Sequence, residues 1–280
     1  MKDLIRLSDY SIKDVKAIFQ IADEIPTGKY KDFLKRKTMM LFFPESSIRT
    51  RVTFEKGIYL LGGQSILFTP SALDKKEEIK DVMGYLNQWV DGVIVRHEEI
   101  SKIDEMGVYA KMPVINAMTD NNHPCEMLAD LYALSKMRKD VKKDKFLFVG
   151  PKGNIGYAWK EAAELMGFSL EQCCPKGYEI EGIKVNHNLD EAILGKDIVC
   201  TDSLKSEKLK DFQNYQVTLQ RMKKANPGAY LNPCPPFFRG EEISSDAIDS
   251  DYFVGYEFKK HLLEVQQAII IYHIMNKGGN

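Results

Sequence analysis

The sequence predicts an α/β protein of two domains, each a mostly parallel sheet flanked by helices. Three observations lead to that class. Short apolar runs alternate with amphipathic stretches from one end of the chain to the other, the signature of strands and helices laid down in turn. The alternation is interrupted once, over Met137–Lys145, where lysine and arginine crowd a stretch without apolar period; it reads as a solvated connector. The 280 residues are enough for two domains of about 130 each.

The elements follow in order. Ser11 with Asp14 has the form of a capped helix start, and Ile12, Val15, Ile18, Phe19, Ala22 and Ile25 recur at helical spacing behind it. Then come strand Thr38–Phe43, helix Ile48–Leu61, strand Ser65–Phe68, helix Glu77–Trp89, strands Gly92–Val95 and Pro113–Asn116, and helix Pro124–Met137. Beyond the connector lie strand Phe146–Val149, helix Ile155–Met166 and strands Ser169–Cys173, Asp197–Thr201 and Ala229–Leu231. Glu257–Met275 reads as one long helix. A first domain over residues 1–138 and a second over 145–256 are expected, with helix 257–275 packing back on the first. In parallel sheets covered on both faces, ligands sit beyond the carboxyl ends of the strands, so the loops leaving those ends are where chemistry is expected.

With 39 basic and 40 acidic residues the net charge is −1, which exerts no general pull on nucleic acid or an anionic membrane; any anion site must be local. The most apolar stretch, Ala268–Ile274, is interrupted by Tyr272 and His273, so no membrane span is expected. The first residues lack the apolar core and cleavage site of a secretory signal. Cys125, Cys173, Cys174, Cys200 and Cys234 are odd in number and fit no zinc spacing, which suits free thiols in a reducing cytoplasm. A cytoplasmic protein without metal or organic cofactor is expected.

Three strand-to-helix junctions in the first half carry reactive side chains. After strand Thr38–Phe43 comes Pro44-Glu45-Ser46-Ser47-Ile48-Arg49-Thr50-Arg51, opening a helix that Ser47 can cap. Hydroxyls, a helix N-terminus and bidentate-capable arginines together suit a phosphate, although a capped helix with solvent-facing arginines would read the same. Arg96 ends the apolar run Val93-Ile94-Val95, and His123-Pro124-Cys125-Glu126 opens the helix after Pro113–Asn116.

These three landmarks, with Phe54-Glu55 behind the first, resemble the aspartate and ornithine carbamoyltransferase family, and the resemblance extends over essentially the whole chain. It implies carbamoyl phosphate as donor, with Ser47, the backbone at Ile48, Arg49, Thr50 and Arg96 holding the phosphate. Thr50 and His123 would take the carbamoyl oxygen, making Arg49, Arg96 and His123 the catalytic set. Ile48 replaces a threonine of the family motif, and Glu126 a glutamine that accepts from the carbamoyl NH₂. Ser71–Glu78 resembles the mobile loop that members lend across a trimer interface, so Lys75 or Lys76 would reach a neighbour's phosphate and a homotrimer, or a multiple of trimers, is implied; the segment is shorter here than in either branch.

In the second half the turn Gly150–Gly156 follows a strand without forming the dinucleotide fingerprint. It resembles instead the turn in which ornithine enzymes bind the acceptor through an asparagine, here Asn154. Thr201-Asp202 stands where the aspartate branch has Thr-Arg and the ornithine branch Thr-Asp, which implies a small amine or amino acid that is cationic at its far end. Ser206 takes the place of a motif serine, with Glu207 following it; Asn232 replaces a histidine; Cys234 and Arg239 join the implied acceptor set. The expected function is carbamoyl transfer to ornithine or a related cationic amine. The alternative is a non-catalytic relative that binds carbamoyl phosphate or another anion in a regulatory or assembly role.

Overall fold

The computed structural model of the protein describes residues 3–277. The chain divides into two compact units, one running to Tyr132 and resuming at Lys260, the other Ala133–Lys259. Each is built on a wholly parallel sheet, of four strands in the first and five in the second, so the predicted fold class is the observed one.

The first unit opens with α1, Ile12–Glu24, held by a reciprocal cap. Ser11 Oγ accepts the Asp14 amide at 3.3 Å, and the Asp14 carboxylate accepts the Ser11 amide at 2.8 Å. Strand β1 (Thr38–Phe42), helix α2 (Ile48–Leu60), strand β2 (Gln64–Phe68), helix α3 (Ile79–Trp89), strand β3 (Gly92–Arg96), helix α4 (Ile100–Tyr109), strand β4 (Val114–Met118) and helix α5 (Pro124–Met137) follow. The strand order is β2-β1-β3-β4, with Met40 beside Val93 and Ile94 beside Ile115. Met40, Phe42, Val93, Val95, Met83, Ile103 and Met106 pack as one core between this sheet and α3 and α4. Helix α4 was not legible in the sequence, because only Ile103 and Met106 are buried in a run otherwise rich in charge.

The second unit holds β5 (Lys145–Val149), α6 (Asn154–Met166), β6 (Ser169–Cys173), β7 (Lys184–Asn186), α7 (Leu189–Ala192), β8 (Ile198–Thr201), α8 (Leu209–Phe212), α9 (Leu219–Met222), β9 (Tyr230–Pro233), α10 (Ser245–Ile248) and α11 (Gly255–Lys259). Its sheet has the order β7-β6-β5-β8-β9. Leu147, Val149, Val199 and Leu231 pack with Ile243, Ala247 and Met222 in one core. Strand β7 escaped the sequence reading since three residues at a sheet edge carry no period.

The long terminal helix expected over Glu257–Met275 is instead two helices, α11 and α12 (Leu262–Lys277). The break falls at Lys260-His261. His261 restarts the helix, its carbonyl accepting the Val265 amide at 3.1 Å while its ring meets the Glu264 carboxylate. Helix α12 belongs to the first unit, where Tyr272 reaches Asp14 of α1 at 2.5 Å and Gln267 reaches the Gly57 carbonyl of α2 at 3.2 Å.

Candidate functional site

In the first unit β1 and β3 are parallel neighbours, so the loops leaving them share one edge of the sheet, with Phe42 beside Val95. Ser47 stands at the N-cap position of α2, but its hydroxyl makes no capping bond. It is buried and accepts instead from Arg96 Nη1 at 3.1 Å, which corrects the expectation that Ser47 caps the helix. The first-turn amides of α2 are thereby left without a side-chain acceptor, as an anion site at a helix start requires.

Ile48 is 67% exposed, Arg49 beside it is exposed and Thr50 is buried. Arg51 lies along the helix against Glu55, 2.7 Å away, and so points its charge elsewhere. Arg96 leaves β3 where the register against β4 slips between Val95 and Arg96, a bulge that re-aims the side chains at the strand end. The next residue, His97, accepts the Glu99 amide on Nδ1 at 2.9 Å, which leaves Nε2 as the donor to Asp74 at 3.0 Å. Asp74 also binds Lys102, which with His97 holds its carboxyl below the usual range. Asp74 thus fastens the segment carrying Lys75 and Lys76, both exposed, to the end of β3.

His123 is placed by a knot of buried polar residues that the sequence did not single out. Asn122 Oδ1 accepts from Asn116 Nδ2 at 2.7 Å and from Thr119 Oγ1 at 3.1 Å, and its amide side chain donates to the Ile5 carbonyl at 3.2 Å. The knot ties the end of β4 to the start of α5. There the His123 carbonyl accepts the Met127 amide at 3.1 Å and Pro124 is the first helical residue. His123 and Glu126 are both buried, and burial together with the Glu126 charge pushes the Cys125 thiol far above its ordinary range. Three junctions at one sheet edge therefore offer a helix start, two arginines, hydroxyls and an imidazole.

In the second unit β5, β8 and β9 end in register, Val149 beside Thr201 and Thr201 beside Pro233. The residues that follow these ends are the implied acceptor set. Asn154 opens α6 with Oδ1 accepting its neighbour Ile155's amide at 2.9 Å. Asp202 Oδ1 accepts the Ser203 amide at 2.9 Å. Loss of hydration pushes the Asp202 carboxyl up to about 7, against the opposing pull of Ser203 and Lys208. The next helical turn starts at Ser206 with Lys205 as its cap residue, so Asp202 does not cap it.

Ser206 is exposed, whereas Asn232 and Cys234 are buried, and the Cys234 amide donates to the Thr201 carbonyl at 3.0 Å. Arg239 is taken up by Asp249 at 2.8 Å and the Ser245 carbonyl at 3.2 Å. Glu242 was missed, because next to Glu241 it reads as a solvated acid; it is buried.

Profiles of one family match both halves. That described as "Aspartate/ornithine carbamoyltransferase, carbamoyl-P binding domain" matches residues 2–136, and "Aspartate/ornithine carbamoyltransferase, Asp/Orn binding domain" matches residues 142–273. Among curated proteins, the ornithine carbamoyltransferase of Syntrophotalea carbinolica is 30% identical, over 96% of this chain and 98% of its own length. That of Methanobrevibacter smithii is 32% identical over 98% and 100%. Among solved structures, the ornithine carbamoyltransferase of Pyrococcus furiosus superimposes with a TM-score of 0.92 at 28% identity, over 100% of this chain and 98% of that one. That of Thermus thermophilus gives 0.90 at 28%, over 97% and 98%. Among the described residues no helix is long and apolar enough to cross a membrane.

Proposed function

The chain belongs to the aspartate/ornithine carbamoyltransferase family, and from that premise we propose that it transfers the carbamoyl group of carbamoyl phosphate to ornithine or a related cationic amine. The observation that carries the donor half is the meeting of Arg96 with Ser47 at the uncapped start of α2, two residues far apart in sequence drawn to adjoining strand ends. An anion bound there takes backbone N–H groups, Arg49 and Arg96 in place of water, and the helix dipole adds to them.

The reaction needs the neutral amine nitrogen to attack the carbamoyl carbon. The carbonyl π electrons move to oxygen and return as the bond from carbon to the phosphate oxygen breaks, and the departing phosphate takes the proton that the amine loses. Arg49 and Arg96 stabilise the departing phosphate. Thr50 and His123 donate to the oxygen that becomes negative in between, a contact of a kind worth about 3 kcal/mol where one such donor is lost. Glu126 accepts from the carbamoyl NH₂.

The acceptor half rests on the sign of Asp202, where the aspartate branch keeps an arginine. A carboxyl there favours an ammonium and repels a carboxylate. The names of the relatives agree with ornithine as that amine. The assembly in this reading is a trimer in the cytoplasm, with Lys75 or Lys76 serving the neighbouring copy.

Steady-state rates with carbamoyl phosphate and ornithine, putrescine, lysine or aspartate test both halves. Cationic amines are expected to win in the parent and to lose most in Asp202→Asn, and Arg49→Ala is expected to abolish donor binding while leaving the fold intact. Preference for aspartate would overturn the acceptor assignment. Donor affinity without any product would return the chain to the role of a binder.

A further inference from the structure

Beyond the carboxyl edge of the second unit's sheet, two buried polar side chains, Thr201 and Glu242, take no part in the function proposed so far. Thr201 is wholly buried, and its Oγ1 has no hydrogen-bond partner among the described residues. Glu242 is 4% exposed. One of its oxygens, Oε1, accepts the Phe238 amide at 2.8 Å, while Oε2 has no partner among the described residues. A buried carboxylate oxygen without a donor is costly, and a donor from outside the chain would relieve that cost.

Asp202 follows the end of β8 and Glu242 lies in the chain that leaves β9, and these parallel neighbours end side by side, Thr201 next to Pro233. Burial first, then the neighbouring charges of Glu241 and Asp202, push Glu242 up to about 7, opposed by the amides of Phe238 and of Glu242 itself. Asp202 is raised to the same level, with the Lys208 charge pulling against it. Two acids held close to neutrality by burial are a place that gains from an incoming cation.

We propose that Glu242 is a second carboxyl of the acceptor subsite, and that Asp202 and Glu242 together receive the ammonium end of a primary amine. This rests on the acceptor reading of Asp202 and adds the residue that makes the subsite selective. An ammonium fits the groups present, because its three N–H donors can be shared between two carboxyls. A metal ion does not fit them: among the described residues no three acidic, histidine or cysteine side chains gather as a metal would require. An ammonium draws both carboxyls into the ionised form, so binding near neutral pH releases protons and weakens as the pH falls below about 7. A quaternary ammonium, which has no N–H, is excluded.

The test uses calorimetry on the full chain. L-ornithine, putrescine and the bis-quaternary N,N,N,N′,N′,N′-hexamethylputrescine are titrated with inorganic phosphate present, in two buffers of different ionisation heat near neutral pH. The parent is expected to release protons on taking up ornithine or putrescine and to discriminate at least tenfold against the bis-quaternary amine. Glu242→Gln keeps an oxygen for the Phe238 amide, and is expected to bind the primary amines at least tenfold more weakly with less proton release. Its KM for carbamoyl phosphate should stay within twofold of the parent's. Unchanged amine affinity and proton release in Glu242→Gln would overturn the proposal. Should that variant not fold, a parent that binds amines without releasing protons overturns it equally. Because binding is read without turnover, amine uptake with proton release but no product would sink carbamoyl transfer and leave this subsite standing.

Discussion

His123 shows what a single residue's surroundings add to its place in a motif. The sequence put it before Pro124; the structure adds why it stays there, through the Asn116–Thr119–Asn122 knot beneath it. A group held so firmly acts on the developing oxyanion more than on the bound ground state. His123→Ala is therefore expected to lower kcat about a hundredfold while changing the KM for carbamoyl phosphate by no more than about threefold. An unchanged kcat would make His123 a packing residue. Glu242 supports a second residue-scale prediction, on stability. Its folded carboxyl titrates near 7 against an ordinary value of 4.5, so the folded chain holds that proton more tightly than the unfolded chain does. The sign follows: stability from this group is present at low pH and falls as pH rises from about 4 to about 7, by roughly 3 kcal/mol. Glu242→Gln removes that loss. Its melting temperature should exceed the parent's near pH 8 and match it near pH 4.5, and a variant that melts lower at both would show that the carboxylate is already satisfied in the fold. Residues of this kind were the least legible. Ser47 was expected to cap a helix because its alternative partner, Arg96, lies 49 positions away, and no local pattern could reveal it.

Elements were read well where one period ran unopposed. Helix α1 has apolar residues on one face and a reciprocal cap, and β1 and β3 are short apolar runs between polar turns. Reading failed where burial is sparse, as in α4, or where a strand is very short, as in β7. It failed also at Lys260-His261, since residues of ordinary helix propensity there do not announce that one helix ends and another starts. How closely elements approach is equally hidden. Gly156 sits in α6 where an added Cβ would lie 2.5 Å from Ile180 Cδ1 and 2.8 Å from Phe148 Cε1. Phe148 and Ile180 are both buried, so either these side chains repack or the helix lifts from β5. Gly156→Ala is expected to destabilise the protein by about 1–3 kcal/mol, despite alanine's better helix propensity. Thermal or urea unfolding decides it, and an equal or higher melting temperature would mean that the contact relaxes at no cost.

At the scale of the whole molecule the fold class was legible because every sheet is parallel, and parallel strands demand the helical crossovers that the alternating pattern displayed. An assembly would be written differently, in what the first unit leaves uncovered. Strand β2 is an edge of its sheet, with Ile66 and Phe68 close to half exposed. Val52 on α2 and the stacked pair Tyr85 and Trp89 on α3 are exposed as well. An open strand edge beside apolar side chains invites pairing with another chain unless something covers it. A trimer that lends Lys75 or Lys76 to its neighbour would cover part of such a surface. Light scattering across a range of concentrations should then give three chain masses for the parent. Val52→Lys and Ile66→Lys place a charge on that surface without touching the implied donor residues, and should shift the mass toward one chain while the circular dichroism stays unchanged. If the lysines act across the interface, these monomeric variants should also lose most of their kcat/KM for carbamoyl phosphate, and Lys75→Ala with Lys76→Ala in an intact trimer should reproduce that loss. A parent that is monomeric and fully active would remove both the trimer and the borrowed lysine. A dissociated variant that keeps its activity would remove the lysine alone.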